Sequence, residues 1–136
     1  MSSIVDTSVW SLALRRSPSP QASPIAAQLQ ALIASDGAIV LGAIRQEILS
    51  GVRSAEQFTQ LRDYLRVFPD VALASEDYEL AADFFNTCRR NGIQGSNTDC
   101  LICAVAHRRN YSIFTTDNDF QGFQVYIPVQ LLTIAG

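Results

Sequence analysis

The chain has 136 residues, of which 48% are hydrophobic and 17% charged. That is enough for one globular domain with a real core, it is wrong for a disordered chain, and no apolar run is long enough to span a bilayer. The formal net charge is -3 and the sequence pI is near 4.9, a balance that alone argues against nucleic acid as a partner. Two features qualify that argument. All ten basic residues are arginine, the better side chain for bidentate phosphate contacts. A centre that holds metal through carboxylates must also be acidic, and a bound divalent ion reverses its local sign.

Other classes fall away on residue counts. The absence of lysine removes P-loops, Schiff-base enzymes and lysine general bases. His107 is the one histidine, and no G-x-S-x-G segment supports a serine hydrolase. Cys88, Cys100 and Cys103 make an odd count, which does not suggest a disulfide framework. Met1 to Asp6 lacks the basic and apolar stretches of a signal peptide. The expectation is a single domain over 1–136, cytoplasmic and without membrane attachment.

In chain order, Ile4-Val5 reads as a short buried strand ending at Asp6, with a short helix through Val9, Trp10, Leu12 and Leu14 that stops in Ser17-Pro18-Ser19-Pro20. Ser23-Pro24 marks the next helix start, with Ile25, Leu29, Leu32 and Ile33 at helical spacing. Asp36-Gly37 is a turn, Ala38 to Leu41 a strand, and Ala43 to Val52 a helix carrying Glu47. Ser54 with Gln57 forms a capping box before Phe58, Leu61 and Leu65, which read as core first and as a docking face second. Pro69-Asp70 breaks that helix, and Val71 to Leu73 reads as extended. Ser75 caps the next helix, with Glu76 and Asp77 suited to its dipole and Tyr78, Ala81, Phe85 and Cys88 sharing a face up to Gly92. Ser96 or Asn97 caps a helix from Thr98 to Arg109. Ser112 to Thr116 is a strand ending at Asp117, and Gln124 to Ile127 a last strand.

Short apolar strands alternating with helices predict an α/β fold, a parallel sheet with helices on both faces. Ligands in such sheets sit beyond the carboxyl ends of the strands. Asp6 and Asp117 each follow a strand, and the helices bearing Glu47 and Asp99 can border the same edge. Each acid has an ordinary structural account: a turn at Asp6, a helix N-terminus at Asp99, an exposed helix face at Glu47, a polar turn at Asp117-Asn118-Asp119. Their joint placement is what favours a site. Two carboxylates about 4 Å apart repel by roughly 1 kcal/mol in water and about 4 kcal/mol at an effective dielectric near 20. An oxygen-only cluster of that kind suits Mg²⁺ or Mn²⁺.

The segments Asp6-Thr7-Ser8-Val9-Trp10, Glu47-Ile48-Leu49-Ser50-Gly51, Asn97-Thr98-Asp99-Cys100-Leu101-Ile102-Cys103-Ala104 and Thr115-Thr116-Asp117-Asn118-Asp119-Phe120 resemble, in order and separation, the four motifs of PIN domains, especially the VapC-type toxins of toxin–antitoxin pairs. The resemblance covers nearly the whole chain. It implies a PIN-like three-layer fold with a central parallel sheet of about five strands flanked by helices. It also implies Mg²⁺- or Mn²⁺-dependent endoribonuclease activity on tRNA, rRNA or mRNA, a cognate antitoxin protein and a homodimer. Asp6, Glu47, Asp99 and Asp117 take the four acidic positions as catalytic residues and metal ligands. Asp119 competes with Asp117 for the fourth, and Ser8 and Thr115 stand behind the ligands as orienting groups. Cys100, Cys103 and Asn110 depart from the family's usual aliphatic, alanine and glycine residues without touching the acids.

Cys100-x-x-Cys103 and His107 share a helix face, but no second pair completes a zinc site, so the cysteines read as buried small hydrophobes. Arg15, Arg16 and Arg45 neighbour the motif segments and are the RNA-phosphate candidates. Arg89-Arg90 and Arg108-Arg109 read as solvated helix ends. Two further functions compete. A phosphatase with a nucleophilic aspartate would need a second aspartate where Ser8 stands, and a lysine. A silent PIN-like module that binds RNA or protein would be favoured by loss of an acid, and none is lost.

Overall fold

A computed structural model describes residues 2–14 and 22–134. Its elements in chain order are β1 (Ser3–Val5), α1 (Thr7–Ala13), α2 (Ala22–Ala34), β2 (Ala38–Ile39), α3 (Gly42–Leu49), α4 (Ala55–Leu65), α5 (Ser75–Arg90), α6 (Asn97–Arg109), β3 (Ser112–Phe114), α7 (Asp119–Tyr126) and β4 (Gln130–Leu131). The expected arrest of the first helix at Ser17 to Pro20 lies outside the described residues.

The strands form one parallel sheet in the order β2-β1-β3-β4, flanked by helices as expected for α/β. Four strands are present among the described residues, where the resemblance implied about five. β1 lies between two partners, with Ile4 opposite Ile39 on one side and Ile113 on the other. All three of its residues are buried, which is why it reads as a continuous apolar run. Beyond the β2 ladder, Val40 and Leu41 stay fully buried and Leu41 is still extended where it caps α3.

Local rules set most boundaries. Asp36 adopts a left-handed φ of 59°, as an Asp-Gly turn permits. The Ser54 hydroxyl accepts from Gln57 N at 3.3 Å and that of Ser96 from Asp99 N at 3.0 Å, capping α4 and α6. Asn110 ends α6 with φ 58°, the left-handed C-cap asparagine tolerates. α2 begins at Ala22, so Pro24 falls in its first turn, where a missing N–H costs nothing.

Four expectations are corrected. Gln124 to Tyr126 belong to α7, and the last strand is Gln130–Leu131. Phe120, Phe123 and Ile127 are all buried at helical spacing, and that burial overrides the strand preference of Val125-Tyr126-Ile127. Val71 to Leu73 join no strand. α5 starts at Ser75 with Ala74 as its cap residue, and the side chain serving that end is Asp77, which accepts from Ala74 N at 2.8 Å. The inward face of α5 is Asp77, Ala81, Phe84 and Cys88, while Tyr78 is exposed.

The largest departure concerns Asp77, which is fully buried. Its carboxylate accepts from Arg108 Nη1 at 2.6 Å and from Arg109 Nη1 at 2.7 Å and Nη2 at 3.0 Å. Arg109 also reaches the Ala72 carbonyl at 2.9 Å. The pair expected to be solvated thus ties the end of α6 to the start of α5. These charge-assisted bonds hold the Asp77 carboxyl far below the usual carboxylate range, against the opposing effect of burial. Leu65 is fully buried and Phe58 lies at the surface, so the α4 face is core only in part. Trp10 is core, edge-on to Phe68 at 5.4 Å and to Tyr64 at 6.3 Å.

Gly95, just before the α6 cap, faces the Phe123 ring of α7. A Cβ there would lie 2.9 Å from Phe123 Cζ. Gly95→Ala is therefore expected to destabilise the fold by about 1–3 kcal/mol, read as a lower melting temperature. A melting temperature equal to that of the parent would show that the ring can move aside.

Candidate active site

Asp6 follows β1 directly and is 7% exposed. Its backbone N–H donates to the Phe114 carbonyl at 2.9 Å, so the β1–β3 ladder continues up to the acid. Its Oδ2 accepts from Ser8 Oγ and from Thr115 Oγ1, each at 2.8 Å, and the two hydroxyls are 3.2 Å apart. Ser8 Oγ also accepts from Thr116 N at 3.0 Å, and Thr115 Oγ1 from Asp117 N at 3.0 Å. A network of hydroxyls therefore fixes one oxygen of Asp6 and binds the loop after β3 to the start of α1. Ser8 and Thr115, expected as orienting groups, are the residues that make these bonds.

The other acids come from separate elements. Asp99 is half-buried in the first turn of α6, and Glu47 is exposed on α3, with the Thr7 hydroxyl donating to Glu47 Oε2 at 3.4 Å. Loss of solvent around Glu47 raises its pKa, and the charges of Asp6 and Asp99 raise it further. Asp99 is raised by burial first, then by Asp6 and Asp117, while hydrogen bonding from Ser96 pulls the other way. Glu47 thus senses Asp6 and Asp99, and Asp99 senses Asp6 and Asp117, across the carboxyl ends of β1 and β3. Asp119 contributes to neither shift. Its backbone N–H donates to Asp117 Oδ1 at 2.9 Å, so it stabilises the turn that presents Asp117.

No arginine among the described residues forms an ion pair with the group. Among the described residues the ion pairs are Arg45–Asp70, Arg62–Asp63 and the two at Asp77. Among the described residues no three His, Cys, Asp or Glu side chains are grouped closely enough to hold a metal ion between them. The arrangement is an open set of oxygen donors that repel one another. Donors that are all oxygen are of the type a hydrated hard cation takes, one or two carboxylates with water on its other positions.

Arg45 has a different task from the RNA contact expected of it. Its guanidinium donates to the Leu65 carbonyl at 2.8 Å, to the Phe68 carbonyl at 3.2 Å and to Asp70 Oδ1 at 3.1 and 2.9 Å. It closes the loop after α4, and those bonds leave little of it for phosphate. Arg15 and Arg16 lie outside the described residues. Cys88, Cys100 and Cys103 are buried free thiols. Burial pushes all three upward, Cys100 to about 11, and this suits inert core residues. His107 is exposed near the end of α6.

Acids from four segments, gathered past the carboxyl ends of a parallel sheet, define an α/β protein with an anionic centre at its sheet edge. The model of the PIN domain family matches residues 3–125, and the chain belongs to that family. No curated protein sequence matches it. Among solved structures it is similar to VapBC2 from Rickettsia felis bound to a DNA fragment from their promoter, with a TM-score of 0.76 at 17% identity over 97% of this chain and 98% of that one. It is also similar to VapBC-1 from nontypeable Haemophilus influenzae, with a TM-score of 0.75 at 16% identity over 97% of both chains. FitAcB from Neisseria gonorrhoeae gives a TM-score of 0.73 at 18% identity over 96% of both chains. At these identities the likeness is one of fold. No helix among the described residues is long and apolar enough to cross a membrane.

Proposed function

We propose that the chain is a divalent-metal-dependent endoribonuclease, the VapC-type toxin of a toxin–antitoxin pair. The observation that carries this reading is the set of acids Asp6, Glu47, Asp99 and Asp117, linked by charge repulsion through Glu47 and Asp99, with no arginine among the described residues paired to them. PIN membership and the fold shared with the VapBC and FitAB complexes support it. Those complexes pair a toxin with an antitoxin, and a cognate antitoxin and a homodimer are proposed for this chain on that likeness. The cytoplasm is the proposed compartment.

Mg²⁺ or Mn²⁺, when bound, supplies activation of a water and neutralisation of charge on the phosphodiester. The chain's part is to hold that ion and aim the substrate. Ser8 and Thr115 occupy Oδ2 of Asp6, and its Oδ1 makes no hydrogen bond among the described residues. Asp99 and Asp117 supply donors from the two neighbouring segments, and Glu47 an exposed one that can take a proton or orient water. The turn hydrogen bond to Asp117 Oδ1 leaves its Oδ2 as the available oxygen.

The test is cleavage of total RNA by antitoxin-free protein with Mg²⁺ or Mn²⁺, with an EDTA control, beside Asp6→Asn. Discrete metal-dependent fragments, absent with the variant, are the expected result. Cleavage that survives Asp6→Asn would sink the assignment. RNA binding without turnover, in folded protein, would make the chain a binding module.

A further inference from the structure

A cleft of about 560 Å³ is lined at one end by Thr115 and Asp117 and extends away from the other three acids. Thr116, Asn118 and Gln121 line its polar side, and Leu131, Leu132 and Ile134 its apolar side. Asn118 and Gln121 are exposed, and their side-chain amides make no hydrogen bond among the described residues. Among the described residues Asp117 is the sole charged one lining the cleft. We propose that this cleft is a nucleobase subsite, occupied by an unpaired base next to the scissile phosphate. The proposal rests on the ribonuclease reading and deepens it.

The chemistry of the walls decides the occupant. With no arginine and one carboxylate, the cleft repels a phosphate, so the part of RNA that fits is the uncharged one. An aliphatic wall from β4 and the residues after it accepts the face of a planar ring. The Asn118 and Gln121 amides each offer a donor and an acceptor, the complement of a base edge. Continuity with Asp117 sets the spacing, since a base seated here belongs to a nucleotide beside the one whose phosphate lies at the acids. Sequence preference around the cut would then originate in α7, while the chemistry resides on β1, α3, α6 and the β3 loop.

The experiment is a titration of the four ribonucleoside 5′-monophosphates, and separately of inorganic phosphate, into the nitrogen-15-labelled full chain in EDTA. The amide resonances of Asn118 and Gln121 are followed. At least one nucleotide is expected to shift both, and phosphate neither. Asn118→Ala and Gln121→Ala, checked as folded from their spectra, are each expected to weaken that nucleotide about three- to tenfold, the worth of one hydrogen bond. No shift from any nucleotide, an equal shift from phosphate, or unchanged affinity in both variants would overturn the proposal. The subsite and the nuclease can fail separately. Nucleotide binding at these amides without metal-dependent cleavage keeps the subsite and removes the nuclease, whereas cleavage with unaltered base preference in both variants does the reverse.

Discussion

Asp99→Asn is expected to lower metal-dependent RNA cleavage by at least about a hundredfold, the upper end of what changes behind a metal ligand cost. In EDTA it should leave the protein at least as heat-stable as the parent. The two effects have one cause. Ser96 caps α6 and favours a charge at Asp99, but burial and the charges of Asp6 and Asp117 outweigh the cap. A carboxyl whose folded pKa is raised binds protons more readily in the folded state. Its charged form therefore opposes folding once the pH exceeds its unfolded value. Asparagine keeps the shape and removes that charge, a stability gain with a functional loss. Melting temperatures in EDTA, read beside the cleavage rate, test both. A variant clearly less stable than the parent would show Asp99 to be mainly a helix-cap residue.

Asp77→Asn is expected to destabilise the fold by about 3 kcal/mol, the range for breaking a buried ion pair. The acid is fully buried, and both arginines are partly covered, so the loss is one of charge-assisted hydrogen bonds that water replaces poorly. Its pH dependence is diagnostic. Because the folded pKa is depressed, the contribution is complete above the ordinary carboxylate value and is lost as pH falls towards the folded one. Urea melts should show the full gap between parent and variant at neutral pH, narrowing below about pH 4. A gap that stays constant down to that range would mean the stabilisation comes from packing.

These two acids differ in how far the sequence reveals them. Asp6 and Asp117 are readable because each follows an apolar strand, Asp6 directly after β1 and Asp117 in the loop after β3, and a parallel sheet brings strand ends together. Asp99 and Glu47 are readable from motif order. Asp77 looks like any acid in a first helical turn, and nothing nearby signals burial. Its partners lie 31 and 32 residues further on, a separation at which a single sequence carries no periodicity. Arg45 was misleading for the same reason, since its neighbours in sequence are motif residues and its hydrogen-bond partners are backbone carbonyls of another segment. In α7, β-branched and aromatic residues spoke for a strand, and the helical spacing of Phe120 and Phe123 was the better signal.

The place of β1 at the centre of the sheet also sets an order of assembly. Ser3 and Ser112, whose hydroxyls meet across β1 and β3, are separated by 109 positions, and Thr115 and Asp117 come later still. A nascent chain that has already released Asp6 from the ribosome lacks the strand that seats it until Ser112–Phe114 has been made. Loop closure over such a span is slow compared with forming local helices. The acids therefore assemble only after β3 is available, and a translation product truncated before residue 112 would have no sheet edge on which to gather them.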